Sequence, residues 1–390
     1  MARPGKFSYQ TASYQMEILL VHICQSIFFG EQSTPFFRRY NRKMMYNLRK
    51  ENTMAKKFSF VLAFSFALFI TSLGSATAEE INKEFHQSFD VKSGDSLRLR
   101  HGDGDVRLIP WEKDIIDVKV RHRADRDVFG IRLGRKHEFN VEFRQTANTV
   151  YVTGKETSSA TIGYQNKNVY EYIYEIHSPD YIKLDLEGDD GNVEIESWKA
   201  EIECRVDDGD INLRNIVGDK TTIWGEDGDV EIDNLTGEIT IKVDDGDVHI
   251  SGCETMCCRL EAEDGNITLS RSKGSFNILV DDGDITLQQI EADRLDIRAE
   301  DGDLDLDLMA VGMFEADIRT DDGDITVDLE KGFSTSFYIS ADDADYIRIE
   351  LDDVEDFKED RFSKSGSVHG GEGRMKIRTA DGNITIKEKY

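Results

Sequence analysis

One eight-residue phrase returns along most of this chain at a nearly constant interval, and that return restricts the available folds more than any other feature. In its fullest form it reads Val206-Asp207-Asp208-Gly209-Asp210-Ile211-Asn212-Leu213. Equivalent phrases centre on Gly228, Gly246, Gly265, Gly283, Gly302 and Gly323, with outlying copies at Gly104, Gly191 and Gly382. From Gly191 to Gly302 the glycines are spaced by 18, 19, 18, 19, 18 and 19 residues, and Gly323 follows after 21. A fixed period of this size marks a solenoid, in which each repeat packs only on its neighbours.

Within a repeat the apolar residues alternate in two short runs. Two and four residues after each glycine stand pairs such as Ile211 and Leu213, Val230 and Ile232, or Ile285 and Leu287. Before the next glycine stand triplets such as Ile239, Ile241 and Val243, or Phe276, Ile278 and Val280. Alternation of period two gives a strand with one buried face. Each coil therefore reads as strand, turn, strand, acidic turn, with two β-rows facing each other across a narrow core. Burying five or six such side chains yields about 1.5 to 3 kcal/mol each, whereas ordering costs roughly 1 to 2 kcal/mol for every residue of the coil. A single coil cannot stand alone, and stacking must supply the remainder. The sequence thus predicts an all-β parallel β-helix of 18–19-residue coils. Right-handed winding is favoured, as for parallel crossovers generally.

The ends depart from this rhythm. Residues 1–53 are basic, aromatic-rich and without the repeat, and are read as an untranslated or disordered leader ahead of a natural start at Met54. Residues 54–78 read as a secretory signal peptide: Lys56-Lys57, an apolar run over 58–70, then the small-residue site Ala76-Thr77-Ala78. That run falls short of the about 20 residues a spanning helix needs. Residues 79–187 are expected to form an N-terminal β cap with hairpins inserted between Arg123 and Tyr170, and residues 188–330 the regular solenoid. Residues 331–390 are expected to hold irregular coils and a cap. Here Asp342-Asp343-Ala344-Asp345 is one more acidic turn, 355–373 a long loop, and 375–386 a final coil closing the C-terminal end.

Composition narrows the function. Residues 1–78 hold 10 of the 48 basic and 3 of the 77 acidic residues, so the chain from Glu79 carries 38 against 74, a net charge of about −36. Such a surface repels phosphate backbones and anionic lipid, which argues against nucleic-acid partners and membrane-surface roles. No membrane insertion is expected after signal cleavage. Cys204, Cys253, Cys257 and Cys258 permit disulfides in an exported chain. Equally, Cys204 and Cys258 fit inward positions of the coils.

Aspartate precedes the glycine in all ten copies, and aspartate or asparagine always follows it. Tight-turn chemistry explains both positions, since glycine takes a positive φ and short Asx side chains bond nearby amides. A third acid, two before the glycine (Asp207, Glu226, Asp244, Glu263, Asp281, Glu300, Asp321), lies outside that explanation. Adjacent strands are about 4.8 Å apart, so stacked carboxylates would repel by roughly 0.9 kcal/mol per rung even in water. Oxygen-only clusters suit Ca2+. The candidate ligands are Asp208, Asp210, Asp227, Asp229, Asp245, Asp247, Asp282, Asp284, Asp301, Asp303, Asp322 and Asp324. Arg205, Lys242, Arg298, Arg319 and Arg378 could offset part of the ladder without metal.

Three further phrases complete the pattern: Gly104-Asp105-Val106-Arg107-Leu108-Ile109-Pro110-Trp111, Ile176-His177-Ser178-Pro179-Asp180-Tyr181-Ile182 and Gly382-Asn383-Ile384-Thr385-Ile386. Together with the repeats they resemble a bacterial family of exported β-strand-repeat proteins of unknown function that carries the label "putative adhesin". Its repeats read Ser/Asp-Gly-Asp-Ile-x-Ile. The resemblance runs over 81–390, and the chain departs from it in using Asp where Ser is commoner. It implies a non-enzymatic adhesin-like or cell-envelope scaffold protein in the periplasm or at the cell surface, whose partner is an unidentified envelope component. The competing expectation is a carbohydrate-active β-helix lyase or hydrolase. That would need long loops building a groove, and most coils are of minimal length. The histidines show no sequence pairing with Ser or Cys, and Trp111, Trp198 and Trp224 fit core or cap packing better than sugar stacking.

Overall fold

The computed structural model describes residues 81–125, 136–159, 169–310, 312–343 and 346–389. The leader, the signal peptide and residues 126–135 and 160–168 of the expected hairpin insertion lie outside the described residues. The described residues form strands and no helix, and none therefore provides a helix long and apolar enough to cross a membrane.

Successive copies of the repeated phrase lie on neighbouring parallel strands. Ile211 pairs with Val193 on one side and Val230 on the other, and Asp208 with Asp190 and Asp227. The same register continues through Val248, Ile267, Ile285, Leu304 and Ile325. Consecutive Asp-Gly corners are therefore one strand apart. Along Ile285–Asp301 buried and exposed residues alternate, as the apolar spacing requires.

Each coil has one more side than the two rows read from sequence. Between them runs another buried column, made by Trp198, Ile216, Leu235, Cys253, Ser272 and Ile290. The cause is a second corner at Ser197, Asn215, Asn234, Gly252, Arg271 and Gln289, all with φ between 46° and 68°. A left-handed residue there breaks the alternation, so that Leu213 and Ile216 both point inward. Trp198 fills the first place in this column and donates its indole N–H to the Ile182 carbonyl at 2.8 Å. Cys204, Cys253 and Cys258 are buried and Cys257 is exposed, all four free. Burial pushes the Cys204 thiol up to about 12 and the Cys253 thiol up to about 11.

At the N-terminal end the Gly104 coil stacks on the Gly191 coil, with Leu97 beside Leu184 and Val106 beside Val193. Its other edge carries Thr149–Ser159 and Val169–Ser178 in parallel. Antiparallel strands follow: Lys136–Thr146 on the first of these, and Ile115–Asp125 then Ile81–Asp90 on the second. The two walls meet through aromatic rings, Phe85 on Phe139 at 5.6 Å and Phe89 on Phe143 at 6.4 Å.

The inward column holding Val206 continues through Gly188 to His101. A Cβ at Gly188 would stand closer than 3.0 Å to the His101 ring, and one at Gly154 closer than 3.0 Å to the Tyr174 hydroxyl, so glycine is what admits the two rings. The His101 ring sits 4.9 Å from that of Tyr174.

The C-terminal end corrects the expected order. The coil containing Gly382 (Gly373–Asp381 and Ile384–Glu388) does not close the stack. It lies between the Gly323 coil (Glu315–Asp322 and Ile325–Leu329) and the coil that precedes it in sequence (Thr335–Asp343 and Ile347–Glu350). The expected long loop over 355–373 also contains an antiparallel hairpin, Glu355–Glu359 with Ser363–Val368, laid on the outer edge of Thr335–Asp343. The order has a steric basis. A Cβ on the residue stacked at Gly323 would come within 3.0 Å of the Gly323 carbonyl, a seat that Gly382 fits. The sequence has alanine at 344, where the other corners have glycine. Residues 344 and 345 themselves lie outside the described residues.

Burial lowers the His101 pKa from 6.5 to about 4, against smaller raising contributions from backbone hydrogen bonds and Asp189. A group that binds its proton more weakly when folded removes stability as pH falls below its unfolded value. Urea unfolding should therefore lose on the order of 3 kcal/mol between pH 6.5 and pH 4 through this residue. His101→Leu should flatten that part of the profile; parallel profiles for the two proteins would show that His101 does not titrate this way.

Candidate functional site

The corner that carries the acids is built from the backbone outward. At Gly209 φ is 147°, and its N–H donates to the Asp227 carbonyl of the next coil at 2.9 Å. The N–H of Ile211 likewise donates to the Asp229 carbonyl at 2.9 Å. The N–H of the intervening Asp210 is instead received by the side chain of Asn192 in the coil before, at 2.8 Å. Every backbone donor of the corner is thereby satisfied, as burial beneath a neighbouring coil demands.

This last contact repeats along the rim. Asp229 N–H donates to Asp210 Oδ1, Asp247 to Asp229, Asn266 to Asp247, Asp284 to Asn266, Asp303 to Asp284 and Asp324 to Asp303, at 2.8 to 3.1 Å. Asp105 begins the series as acceptor for Asn192. Asn383 extends it by donating to Asp324 at 2.7 Å and accepting from Tyr346 N–H at 3.2 Å. Of the twelve carboxylates proposed as metal ligands, Asp210, Asp229, Asp247, Asp284, Asp303 and Asp324 thus each have one oxygen engaged by an amide. Asp208, Asp227, Asp245, Asp282, Asp301 and Asp322 stand exposed beside them. Among the described residues no three histidine, cysteine or carboxylate side chains converge to hold a metal ion.

The outer acids are offset unevenly. Lys242 reaches Asp244 at 3.1 Å and Glu263 at 3.3 Å, and Arg319 reaches Asp321 at 2.7 Å. Arg298 and Arg378 pair instead with Asp296 and Asp317, while Arg205 lies 5.0 Å over the Trp224 ring. Exposed pairs of this kind contribute about 0 to 1 kcal/mol each.

One constellation was not visible in the sequence. His86 Nε2 lies 2.8 Å from Asp117 Oδ1, and the Ser88 hydroxyl donates to the same oxygen. These residues stand 31 and 29 positions from Asp117, and only the antiparallel pairing of Ile81–Asp90 with Ile115–Asp125 unites them. Burial acts to raise the Asp117 pKa, but the hydrogen bonds from Ser88 and His86 outweigh it and hold the carboxyl below its ordinary value. The carboxylate stands between hydroxyl and imidazole, whereas a nucleophilic serine requires the imidazole in that place. Close by, the Trp111 ring lies 5.3 Å from that of His177, tilted by 39°, and donates its indole N–H to the Ile115 carbonyl. The Tyr181 hydroxyl donates to Asp114 at 2.6 Å. The tryptophan and tyrosine of the first two resemblance phrases therefore both reach the 111–115 corner.

A parallel β-strand repeat with a glycine–Asx rim defines a β-solenoid-like domain. The chain belongs to the Toastrack DUF4097 family, whose model matches residues 109–275 and 236–387, consistent with the resemblance carried by the repeated phrases. No curated protein matches it. Among solved structures it is similar to a "putative cell adhesion protein" from Clostridium sporogenes, at 12% identity over 79% of this chain and 100% of that one, with a TM-score of 0.18. It is also similar to a "putative adhesin" from Bacteroides fragilis, at 12% identity over 78% of this chain and 97% of that one, with a TM-score of 0.33.

Two sets of substitutions test the rim. Gly209→Ala should destabilise by about 3 kcal/mol or more, since it combines a disfavoured φ with a clash against the Gly191 carbonyl. Gly312→Ala, with open space around it, should be near neutral. Asp229→Ala should cost about 1 to 2 kcal/mol by stranding the Asp247 N–H, while Asp229→Asn keeps the acceptor and should cost little. Asn266→Asp should destabilise by about 1 to 2 kcal/mol at low salt and recover partly in high salt, because it places a carboxylate between Asp247 and Asp284. Thermal and urea denaturation read all five.

Proposed function

We propose that this protein is an exported, non-enzymatic, adhesin-like or cell-envelope scaffold protein that binds through outward positions repeated from coil to coil. The observation that carries this reading is the regularity of the stack. Minimal coils give no loop long enough to wall a substrate groove, yet they present the same outward side chains at every rung, which suits an extended contact surface. In this reading the coils wind to the right, and the antiparallel strands at either end act as caps that protect the terminal edges from pairing with other chains. The 54–78 signal directs export, and the protein works in the periplasm or at the cell surface against an envelope component. The exposed carboxylates of the rim gather divalent cations such as Ca2+ as a diffuse atmosphere.

The full chain, tagged and incubated with native envelope from the producing cell, is expected to retain one envelope component in a salt-sensitive manner. Its melting temperature should rise modestly in millimolar Ca2+ and return with chelator; an unchanged melting temperature removes the cation part. Release of product from acidic polysaccharides, abolished by replacing a single carboxylate such as Glu355, would favour the lyase or hydrolase reading instead.

A further inference from the structure

The Gly382 coil comes last in the chain yet lies inside the stack. Its strand Gly373–Asp381 is bonded on one edge to Glu315–Asp322 and on the other to Thr335–Asp343, and Ile384–Glu388 is held likewise between Ile325–Leu329 and Ile347–Glu350. Both flanking coils precede it in sequence. The chain passes over one rung after Leu329, builds the outer coil and its hairpin, then returns to fill the rung it left.

The slot is matched to this segment. On one side Gly382 seats against the Gly323 carbonyl, and Asn383 joins Asp324 to Tyr346. Gly373 is hemmed between the carbonyls of Phe314 and Ser334, each 3.0 Å from where a Cβ would stand. The walls of the slot are acidic and the segment supplies cations: Arg378 binds Asp317 at 2.7 Å, Lys387 binds Asp328 at 3.1 Å, and Lys389 binds Asp307. Asp307 and Asp328 pair across adjacent strands and each is mostly covered, so both need that counter-charge. In a chain this acidic, few other segments carry glycine, asparagine and three suitably spaced cations together.

The geometry points to residues 373–389 as an exchangeable donor layer: the slot that receives this segment in its own chain receives the same segment of a second copy, giving a reciprocally swapped dimer. The contacts between slot and segment do not distinguish the two sources; what ties the segment to its own chain is the 351–372 connection, whose hairpin lies on the outer edge of Thr335–Asp343. Exchange of an identical element is a low-cost route to dimers, and an edge awaiting a parallel strand accepts one by backbone bonding.

The test uses two full-length chains in a Cys257→Ser background, one bearing Asp317→Cys and an affinity tag, the other bearing Lys376→Cys. These positions are directly paired partners on adjacent strands, within the Cα separation of about 4.4 to 6.8 Å that a disulfide spans. The chains are unfolded together, refolded at a series of concentrations and oxidised. Inter-chain 317–376 links are expected, with a yield that roughly doubles for each doubling of refolding concentration while the swapped species is minor. The double variant, refolded dilute, should link within one chain and so report that the substituted layer still folds. Two results overturn the inference: no inter-chain link at any concentration while the double variant links internally, or equal linking of Lys376→Cys to a control chain bearing Glu231→Cys. If the double variant fails to link, the same comparison on Asp328→Cys and Lys387→Cys decides.

Discussion

A glycine resting on the carbonyl of the glycine below it is the contact that the rest of the molecule depends on. From Gly191 to Gly382 each corner glycine holds φ between 126° and 158°, and a Cβ on any of them would meet the backbone beneath at less than 3.0 Å. This column fixes the register of both flanking strands, since a slip of one residue would bring an aspartate onto the seat and turn every apolar side chain outward. Coil length is then free to vary in the other corners, where irregular pairing absorbs the difference between 18 and 19 residues, as between Thr236 and Ile239 or Thr255 and Cys258. One corner is strict so that the others can be loose.

The same column determines which coil lies where at the C-terminal end. Sequence order would place the Thr335–Asp343 strand on Glu315–Asp322, and the 21-residue rhythm invites that arrangement. Steric demand outweighs it, because the seat above Gly323 requires a glycine and the next corner of that type is Gly382. Counter-charge acts in the same direction, as only the later segment brings lysines to Asp307 and Asp328.

What the sequence disclosed and what it concealed separate along physical lines. The glycine–Asx corner was legible because one residue type alone meets each requirement: glycine for the close approach, Asp or Asn for an acceptor at that reach. The second corner was hidden because a left-handed conformation at Ser197, Asn215, Arg271 and Gln289 is enforced by packing and leaves no common residue type. The extra inward column was hidden with it, since Ile216 and Leu235 follow two outward residues and fall out of phase with the period-two pattern. Pairings between distant strands, such as His86 and Ser88 on Asp117, leave no periodic trace at all. Of the candidate site, the carboxylates and their capacity to accept from an amide were legible, whereas the source of that amide, the neighbouring coil rather than the same turn, was not.

The amide ladder also answers how so many like charges can be stacked. In spatial order its members are Asp105, Asn192, Asp210, Asp229, Asp247, Asn266, Asp284, Asp303, Asp324 and Asn383. Asparagine recurs at every fourth place, so no run exceeds three carboxylates. An asparagine serves the ladder equally well as acceptor, and its Nδ2 adds a donor that a carboxylate lacks. Asn266 directs it to Asp247 at 3.1 Å and Asn383 to Asp324 at 3.2 Å, in each case the last acid of a run of three. With neighbouring charges repelling by about 0.9 kcal/mol per rung at the dielectric of water, interrupting the series at Asn266 removes two such terms and replaces one of them with a hydrogen bond to a charged acceptor. The rim can therefore remain strongly acidic while the ladder beneath it stays bonded through its own amides.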